Sequence, residues 1–260
     1  MLLSEPPVTA YDVNFRLGNI PVRIHPGFLI LPVIWGSNTG SGIGIVIFLL
    51  VFFVSILVHE LGHALLMRYF GEDPRIVLYW SGGLAINDGG GPWRVSRRMR
   101  GRSQFEQILI SFAGPAAGLM LALAILGVIK VMGAGIYASF HWIPVFEFDF
   151  QGTSAENNPY LQMALHFAFY ISLYLNLFNL LPVYPMDGGQ IARGVYLQLN
   201  PWQGLKYSLV LSLVVAVVVA ILFWQNRAMV GAIFFAMFAI QNFQELQMLG
   251  TGGFGGRRPW

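Results

Sequence analysis

The chain has 260 residues, of which 56% are hydrophobic and only 10% are charged. Soluble domains carry about 25% charged residues, so this composition excludes an ordinary soluble domain and indicates a membrane protein. Cysteine is absent, which excludes disulfides and thiolate metal ligands, and the net charge of +3 is not accompanied by any nucleic-acid-binding motif, so we expect no nucleic-acid partner.

The first 26 residues predict a β-hairpin. Apolar and polar residues alternate from Val13 to Leu17 and again from Ile20 to Ile24, on either side of a Gly18-Asn19 turn. The same stretch contains acidic residues and prolines but no continuous apolar region, so we expect no cleavable signal peptide.

Six apolar stretches follow, and each is a candidate transmembrane helix, because about 20 helical residues cover the hydrocarbon core of a bilayer. These candidate spans cover residues 27–41, 43–69, 105–131, 161–181, 205–224 and 228–243. The first is short and continues into a polar, glycine-rich stretch, so its length is compatible with a full or a partial crossing. The sequence therefore predicts an all-α polytopic membrane protein with about six transmembrane helices.

A basic segment with strand-like character separates the second and third candidate spans. Residues 75–80 have the composition of a strand, Ser81-Gly82-Gly83 interrupts it, and residues 84–86 resume it. We expect a small β-sheet on this side of the membrane, formed by these strands together with the N-terminal hairpin.

Positive charge predicts the orientation of the chain. With six crossings, one side carries thirteen of the fifteen Lys and Arg residues, and only Lys130 and Arg227 lie on the other side. The positive-inside rule makes this basic side cytoplasmic. We expect a protein of the cell's inner (plasma) membrane with both termini and the 68–104 loop in the cytoplasm. If the first stretch does not cross, the N-terminus lies outside and the basic loop still faces the cytoplasm. The expected organisation is a hairpin at 1–26, a membrane core at 27–248 and a flexible tail at 249–260.

The second candidate span contains a HExxH motif, His59-Glu60-Leu61-Gly62-His63. Residues i and i+4 share one helix face, so the two imidazoles can hold one metal ion, and Glu60 can accept a proton from metal-bound water. Placing polar residues in a bilayer costs several kcal/mol, about 2.5–3.5 for one central Asp, Lys or Arg, and a structural role would not require that cost. Metal binding is therefore favoured over an accidental match.

A catalytic zinc ion usually has three protein ligands, so one more must come from elsewhere in the chain. Asp187 is the best-placed carboxylate, because Pro182 and Pro185 break the helix just before it. Irregular backbone at membrane depth is tolerated where it is buried in protein or lines a cavity. Asp187 could instead be the N-cap of a helix over 188–199, which by itself is the commoner role, so spacing alone leaves both roles open.

Three motifs resemble those of the site-2 protease family of intramembrane zinc metalloproteases. They are the HExxH at 59–63, an N-x-x-P at 179–182 and a Met-Asp-Gly at 186–188, where the family has Leu-Asp-Gly. Residues 111–115 also resemble the family's A-G-P motif. The loop at 133–159 is too short for a PDZ domain and no regulatory domain follows the last span, so the sequence resembles a minimal core enzyme.

The resemblance implies one Zn²⁺ per chain, bound by His59, His63 and Asp187, with Glu60 as the general base. It implies that Asn179 helps to hold the substrate or the transition state. It further implies hydrolysis of peptide bonds within or near the transmembrane segments of single-pass membrane proteins, in the lipid bilayer.

The substrate must also be held in an extended form. A substrate helix has to unwind before its backbone can be attacked, and an extended peptide can add to the edge of a sheet. The strand segment follows the HExxH helix closely, and the family uses such strands. We therefore expect Gly82, Gly83 and Leu84 to contact substrate.

Two other functions compete with proteolysis. A zinc transporter would repeat its ligands along a path, whereas this chain has a single set with Glu60 between its histidines. A non-proteolytic membrane zinc-binding protein is disfavoured because every proposed catalytic residue is present. Of the remaining polar residues, Asn176 is expected to hydrogen-bond a neighbouring helix and His166 to lie at the interface far from the metal.

Overall fold

The protein is described here by a computed structural model that covers residues 5–80, 82–87, 102–140 and 144–250. The helices within these residues are α1 (Ile30–Gly36), α2 (Gly42–Tyr69), α3 (Gln104–Val131), α4 (Pro159–Asn179), α5 (Asp187–Leu199), α6 (Gly204–Gln225) and α7 (Met229–Gly250). Five of them, α2, α3, α4, α6 and α7, are long and apolar enough to cross a membrane. This arrangement confirms the predicted polytopic helical architecture.

The strands form two separate sheets. They are β1 (Val13–Leu17), β2 (Ile20–Ile24), β3 (Pro74–Tyr79), β4 (Gly82–Asn87), β5 (Gly135–Phe140) and β6 (Pro144–Asp149). The first four make one sheet in sequence order, in which only the β2–β3 pair is parallel, and β5 and β6 make an antiparallel ribbon. The N-terminal hairpin and the strands at 75–86 are therefore confirmed, and they share one sheet.

The predicted interruption of the strands at Gly82 and Gly83 is wrong. Both belong to β4, where Gly83 pairs with Leu78 and Gly82 pairs with Tyr79. The backbone of Gly82 has a φ of 124°, which favours glycine at the start of the strand. Ser81 lies outside the described residues.

One face of the four-stranded sheet packs against α2. Side chains alternate across a strand, so Val22 of β2 and Ile76 and Leu78 of β3 point to the same face, where they are buried with Ile56 and Ala64 of α2. The sheet therefore lies along the C-terminal half of α2, the half that carries the HExxH motif.

Residues 27–41 do not form the first transmembrane helix that was expected. They contain α1 between two short 3-10 turns, and a seven-residue helix is only about 10 Å long. The polar, glycine-rich residues that follow α1 end the helix. The segment instead lies along the N-terminal half of α2, with the rings of Phe28 and Phe52 5.6 Å apart and Gly36 packed against the backbone of Ile45.

The N-terminal hairpin nevertheless stays on the same side as β3. β2 is paired with β3, and the His25 N–H donates to the Leu78 carbonyl at 2.8 Å. The N-terminal part of the chain thus runs along α2, first as strand β2 and then as the short helical turns of residues 27–41. The pairing of β2 with β3 keeps the N-terminal hairpin at the end of the bundle that carries β3, and the side of the membrane on which the N-terminus lies stays a prediction.

The β5–β6 ribbon was not predicted, although the alternation of Phe146, Phe148 and Phe150 is typical of a strand. Its β6 strand packs on α4, where the Tyr170 hydroxyl accepts from the Phe146 N–H at 2.8 Å and donates to the Phe146 carbonyl. The Phe148 ring also contacts the His166 ring at 5.9 Å. His166 therefore packs under this ribbon and away from the HExxH motif.

The start of α3 is anchored to the end of α2. A capping box joins Ser103 and Glu106, and Arg102 makes two hydrogen bonds, of 2.5 and 2.6 Å, to the buried carboxylate of Glu72. Residues 88–101, which carry much of the basic loop, lie outside the described residues, as does most of the predicted tail at 249–260. The domain boundaries at 26 and 248 remain predictions.

Candidate metal centre

The three predicted metal ligands lie together. His59 and His63 are one turn apart on α2, both are buried, and their Nε2 atoms are 3.1 Å from each other. Asp187 is the first residue of α5, and its Oδ2 lies 3.2 Å from the His59 Nε2 and 3.4 Å from the His63 Nε2. Two nitrogens and one oxygen thus form a compact triangle.

The size of this triangle fits zinc. A tetrahedral zinc ion bound at about 2.0–2.1 Å places its ligand atoms about 3.3–3.4 Å apart, close to the distances seen here. Three protein ligands leave the fourth tetrahedral position open, which is the arrangement of catalytic rather than structural zinc sites. The residues present therefore fit a catalytic zinc ion without rearrangement.

The carboxylate of Asp187 does not cap α5. The N-cap position is Met186, and no side chain makes a capping hydrogen bond there. Asp187 instead directs its carboxylate at both imidazoles. Of the two roles that spacing left open, the geometry supports the ligand.

Hydrogen bonds to the second ring nitrogens fix the tautomer of both histidines. The Nδ1 of His59 lies 2.7 Å from the Asn176 Oδ1, and the Nδ1 of His63 lies 2.6 Å from the Ile110 carbonyl oxygen. Carbonyl oxygens only accept, so each ring donates from Nδ1 and keeps the Nε2 lone pair for a metal. The Asn176 amide is itself oriented, because its Nδ2 donates to the Ser172 carbonyl at 2.6 Å.

Two glycines of α3 make room for this arrangement. A Cβ on Gly114 would lie 2.2 Å from the His63 Nε2, and a Cβ on Gly118 would lie 2.0 Å from the Asn176 Nδ2. The sequence indicated close helix packing from the small residues around Gly114, but not which side chains they face. Gly114 of the A-G-P segment thus brings the α3 backbone against His63, and Gly118, one turn later, brings it against Asn176, the hydrogen-bond partner of His59.

Glu60 is buried between α2 and the edge of the sheet. A Cβ on Gly83 would lie 2.5 Å from the Glu60 Oε1, and the backbone of Ala85 hydrogen-bonds the Glu60 carboxyl group. Gly83 therefore touches the proposed general base, while Gly82 has open space around its Cα and Leu84 is half-buried. Within the described sheet, β4 has a neighbour on one side only.

Asn179 is the last residue of α4, one turn after Asn176. It is partly buried, and its side chain makes no hydrogen bond within the described parts of the chain. The segment that follows is packed against the start of α5, where a Cβ on Gly188 would lie 2.1 Å from the Leu180 carbonyl oxygen. Glycine is therefore required where the metal-ligand helix meets the Asn179-x-x-Pro182 turn.

Replacing Asn176 with Leu is expected to weaken zinc binding by about 10–100-fold, because partners of metal-bound histidines contribute on that order to affinity. Leucine keeps the branched shape of the side chain but leaves the His59 Nδ1–H without an acceptor. Competition with a chromophoric chelator measures the affinity. Unchanged zinc binding in this variant would show that Asn176 does not orient His59.

The chain is similar to known proteins in sequence and in fold. A family model described as Peptidase family M50 matches residues 47–224. A zinc metalloprotease of Methanocaldococcus jannaschii is 27% identical over 184 residues, which are 70% of this chain and 44% of that protein. A zinc metalloprotease predicted in Synechocystis sp. is 29% identical over 205 residues, which are 72% of this chain and 45% of that protein.

A solved structure is also similar. The site-2 protease from Methanocaldococcus jannaschii superposes with a TM-score of 0.55 at 19% identity, over 91% of this chain and 95% of the solved chain. That likeness concerns the fold. This chain spans less than half of the length of the two curated relatives, at 44% and 45%.

Proposed function

The chain belongs to peptidase family M50, the site-2 protease family, and from this membership we propose that it is an intramembrane zinc metalloprotease. The observation that carries the proposal is the triangle formed by the Nε2 atoms of His59 and His63 and the Oδ2 of Asp187, beside the buried carboxylate of Glu60. All of these residues lie within the part of the chain that the family model matches. Five apolar helices make it a multi-pass membrane protein.

The reaction we propose is hydrolysis of a peptide bond. A zinc ion in this site supplies Lewis acidity, which makes water nucleophilic near neutral pH and polarises a carbonyl group. Glu60 takes the proton from the attacking water on a carboxylate oxygen and then delivers it to the leaving amide nitrogen. The backbone of Gly83 and Ala85 holds that carboxylate in place.

The proposed substrates are single-pass membrane proteins whose helix unwinds at the site. An extended peptide can pair with β4, and that strand would bring the peptide next to Glu60 because Gly83 contacts it. Asn179 has an amide with no hydrogen bond among the described residues, and we propose that it donates to the carbonyl oxygen of the scissile bond as negative charge develops there.

We propose that the protein lies in the cell's inner membrane with the basic side in the cytoplasm. The HExxH end of α2, the four-stranded sheet and the start of α3 are on one side of the bundle, and the β5–β6 ribbon is at the opposite end of α3. That first side carries the basic connection between α2 and α3, which supports a cytoplasmic orientation.

Removal of the metal is expected to abolish cleavage completely and reversibly. The full chain, reconstituted in liposomes with a single-span substrate, should lose activity after dialysis against a chelator and regain it when about one zinc ion per chain returns. Cleavage that continues at the original rate in metal-free protein would refute the proposal. Zinc flux into the liposomes without any cleavage would support the transporter instead.

A further inference from the structure

The segment between α4 and α5 leads directly to Asp187, and the backbone of Tyr184 in this segment is held by two helices that contribute no residue to the metal centre. The Tyr184 N–H donates to the Ser212 Oγ of α6 at 3.1 Å. The Tyr184 carbonyl accepts from the Asn242 Nδ2 of α7 at 2.6 Å. Both main-chain polar groups of Tyr184 are therefore bound from outside the segment.

The side chains of Ser212 and Asn242 are completely buried inside candidate membrane spans. Polar side chains in such helices are costly and need partners. An irregular backbone segment at this depth also needs hydrogen-bond partners, because its N–H and C=O groups find none in lipid. Asn242 also donates to the carbonyl of Phe238 in its own helix at 2.8 Å, so both amide hydrogens are used and the amide orientation is fixed.

The backbone of Tyr184 is in direct contact with the helix that carries the metal ligand. A Cβ on Gly189 would lie 2.3 Å from the Tyr184 nitrogen and 2.4 Å from the Val183 carbonyl carbon, and Val183 itself is fully buried. The first turn of α5 is therefore packed tightly against the backbone of the segment that precedes it. A shift of the Tyr184 backbone must move the first turn of α5, and Asp187 is the first residue of that turn.

We propose that Ser212 and Asn242 are positioning residues for the metal ligand Asp187. By holding both polar groups of the Tyr184 backbone, they set the carboxylate opposite the two imidazoles. The inference rests on the proposed function only in taking Asp187 as a zinc ligand. It assigns to α6 and α7 a role in metal affinity, although neither helix contributes a ligand.

The test measures the zinc affinity of the purified full chain by competition with a chromophoric chelator. Asn242→Leu removes both amide donors and keeps the branched shape of the side chain, and Ser212→Ala removes a single oxygen. Ser208→Ala is the matched control, because Ser208 is also buried on α6, one turn earlier, and its hydroxyl donates to Leu205 of its own helix at 2.8 Å.

Asn242→Leu is expected to weaken zinc binding by about tenfold or more, Ser212→Ala by about threefold or more, and Ser208→Ala by less than about twofold. Thermal unfolding of the zinc-free proteins is measured in parallel. A merely structural role would lower the unfolding temperature of the zinc-free variants and leave zinc affinity at the wild-type value, and that result would overturn the inference. If Asn242→Leu does not fold, Ser212→Ala decides, and an affinity equal to that of Ser208→Ala overturns the inference.

Failure of the proposed function would look different. A wild-type chain that binds zinc but never cleaves a single-span substrate would refute the protease, while the ranking of zinc affinities among the variants would still support or overturn the positioning role. A wild-type chain that binds no zinc would refute both.

Discussion

Replacing Glu60 with Gln is expected to lower kcat for peptide hydrolysis by about 10²–10⁴-fold, the usual contribution of a general base, while the purified protein keeps its zinc. Glutamine has the same shape and fills the same buried space against Gly83. It has no basic oxygen to take the proton of the attacking water. The three ligand atoms come from His59, His63 and Asp187, so their positions do not depend on this change.

The measurement is single-turnover cleavage of a single-span substrate, with zinc counted per chain in the same preparation. Glu106→Gln is the matched control, because it makes the same chemical change in the first turn of α3, where Glu106 is half-buried and glutamine also completes a capping box. We expect the control to cleave at the wild-type rate. Wild-type cleavage by Glu60→Gln would exclude Glu60 as the base.

Replacing Gly114 with Ala is expected to remove zinc from the protein and with it all cleavage. The added Cβ would lie 2.2, 2.5 and 2.7 Å from the Nε2, Cε1 and Cδ2 atoms of His63, so the ring has to leave its position. The ring cannot simply rotate, because its Nδ1 is bonded to the Ile110 carbonyl at 2.6 Å. Moving α3 away would break the close packing of α3 on α2, where Gly62 faces the Ala113 carbonyl.

Gly127→Ala on the same helix is the control, because a Cβ there meets nothing within 4 Å. Alanine favours helix over glycine by about 1 kcal/mol at either site, so neither variant should lose α3 through its helix propensity. Zinc per chain and helical content by circular dichroism separate the two outcomes. A Gly114→Ala protein with one tightly bound zinc ion would contradict the close approach of α3 to His63.

The spans of α2, α3, α4 and α6 could be predicted within two residues at each end, because apolar length is a local property of the sequence. The N-terminal hairpin was equally accessible, since its alternation and its Gly18-Asn19 turn are local. Helix α7 continues to Gly250, seven residues beyond residue 243, where the apolar stretch that predicts it ends. Polar residues such as Gln244 and Glu245 lower the hydropathy there without ending the helix.

The position of residues 27–41 could not be predicted, because it depends on the pairing of β2 with β3. Val22 and Ile76 are partners in that pair, and they are more than 50 residues apart in the chain. Hydropathy is evaluated for each segment alone. It therefore cannot show that β2 pairs with β3 and that the segment after it runs along α2. Within the four-stranded sheet, the β1–β2 and β3–β4 hairpins were predictable, but the β2–β3 pairing that joins them was not.

The metal centre was predictable in part. His59 and His63 follow from helix geometry, since residues i and i+4 share a face. Asp187 could not be distinguished from a helix cap by spacing, because the deciding contact joins α2 to the start of α5, over 120 residues later. The role of Asn176 was equally hidden: a polar residue in a span indicates a partner but does not identify it as His59.

The hydroxyl of Tyr170 protects the β5–β6 ribbon from wrong pairing. It occupies both the N–H and the carbonyl of Phe146, and Pro144, two residues earlier on the same strand, has no N–H to offer. An exposed strand edge is a template for aggregation and for capture of any extended chain. Under the proposed function, unwound substrate segments meet that hazard at any open strand edge of the protein. Blocking the outer edge of β6 at Phe146 removes one of the two edges of the ribbon as a template, so capture of an extended chain and edge-to-edge association are both disfavoured along β6.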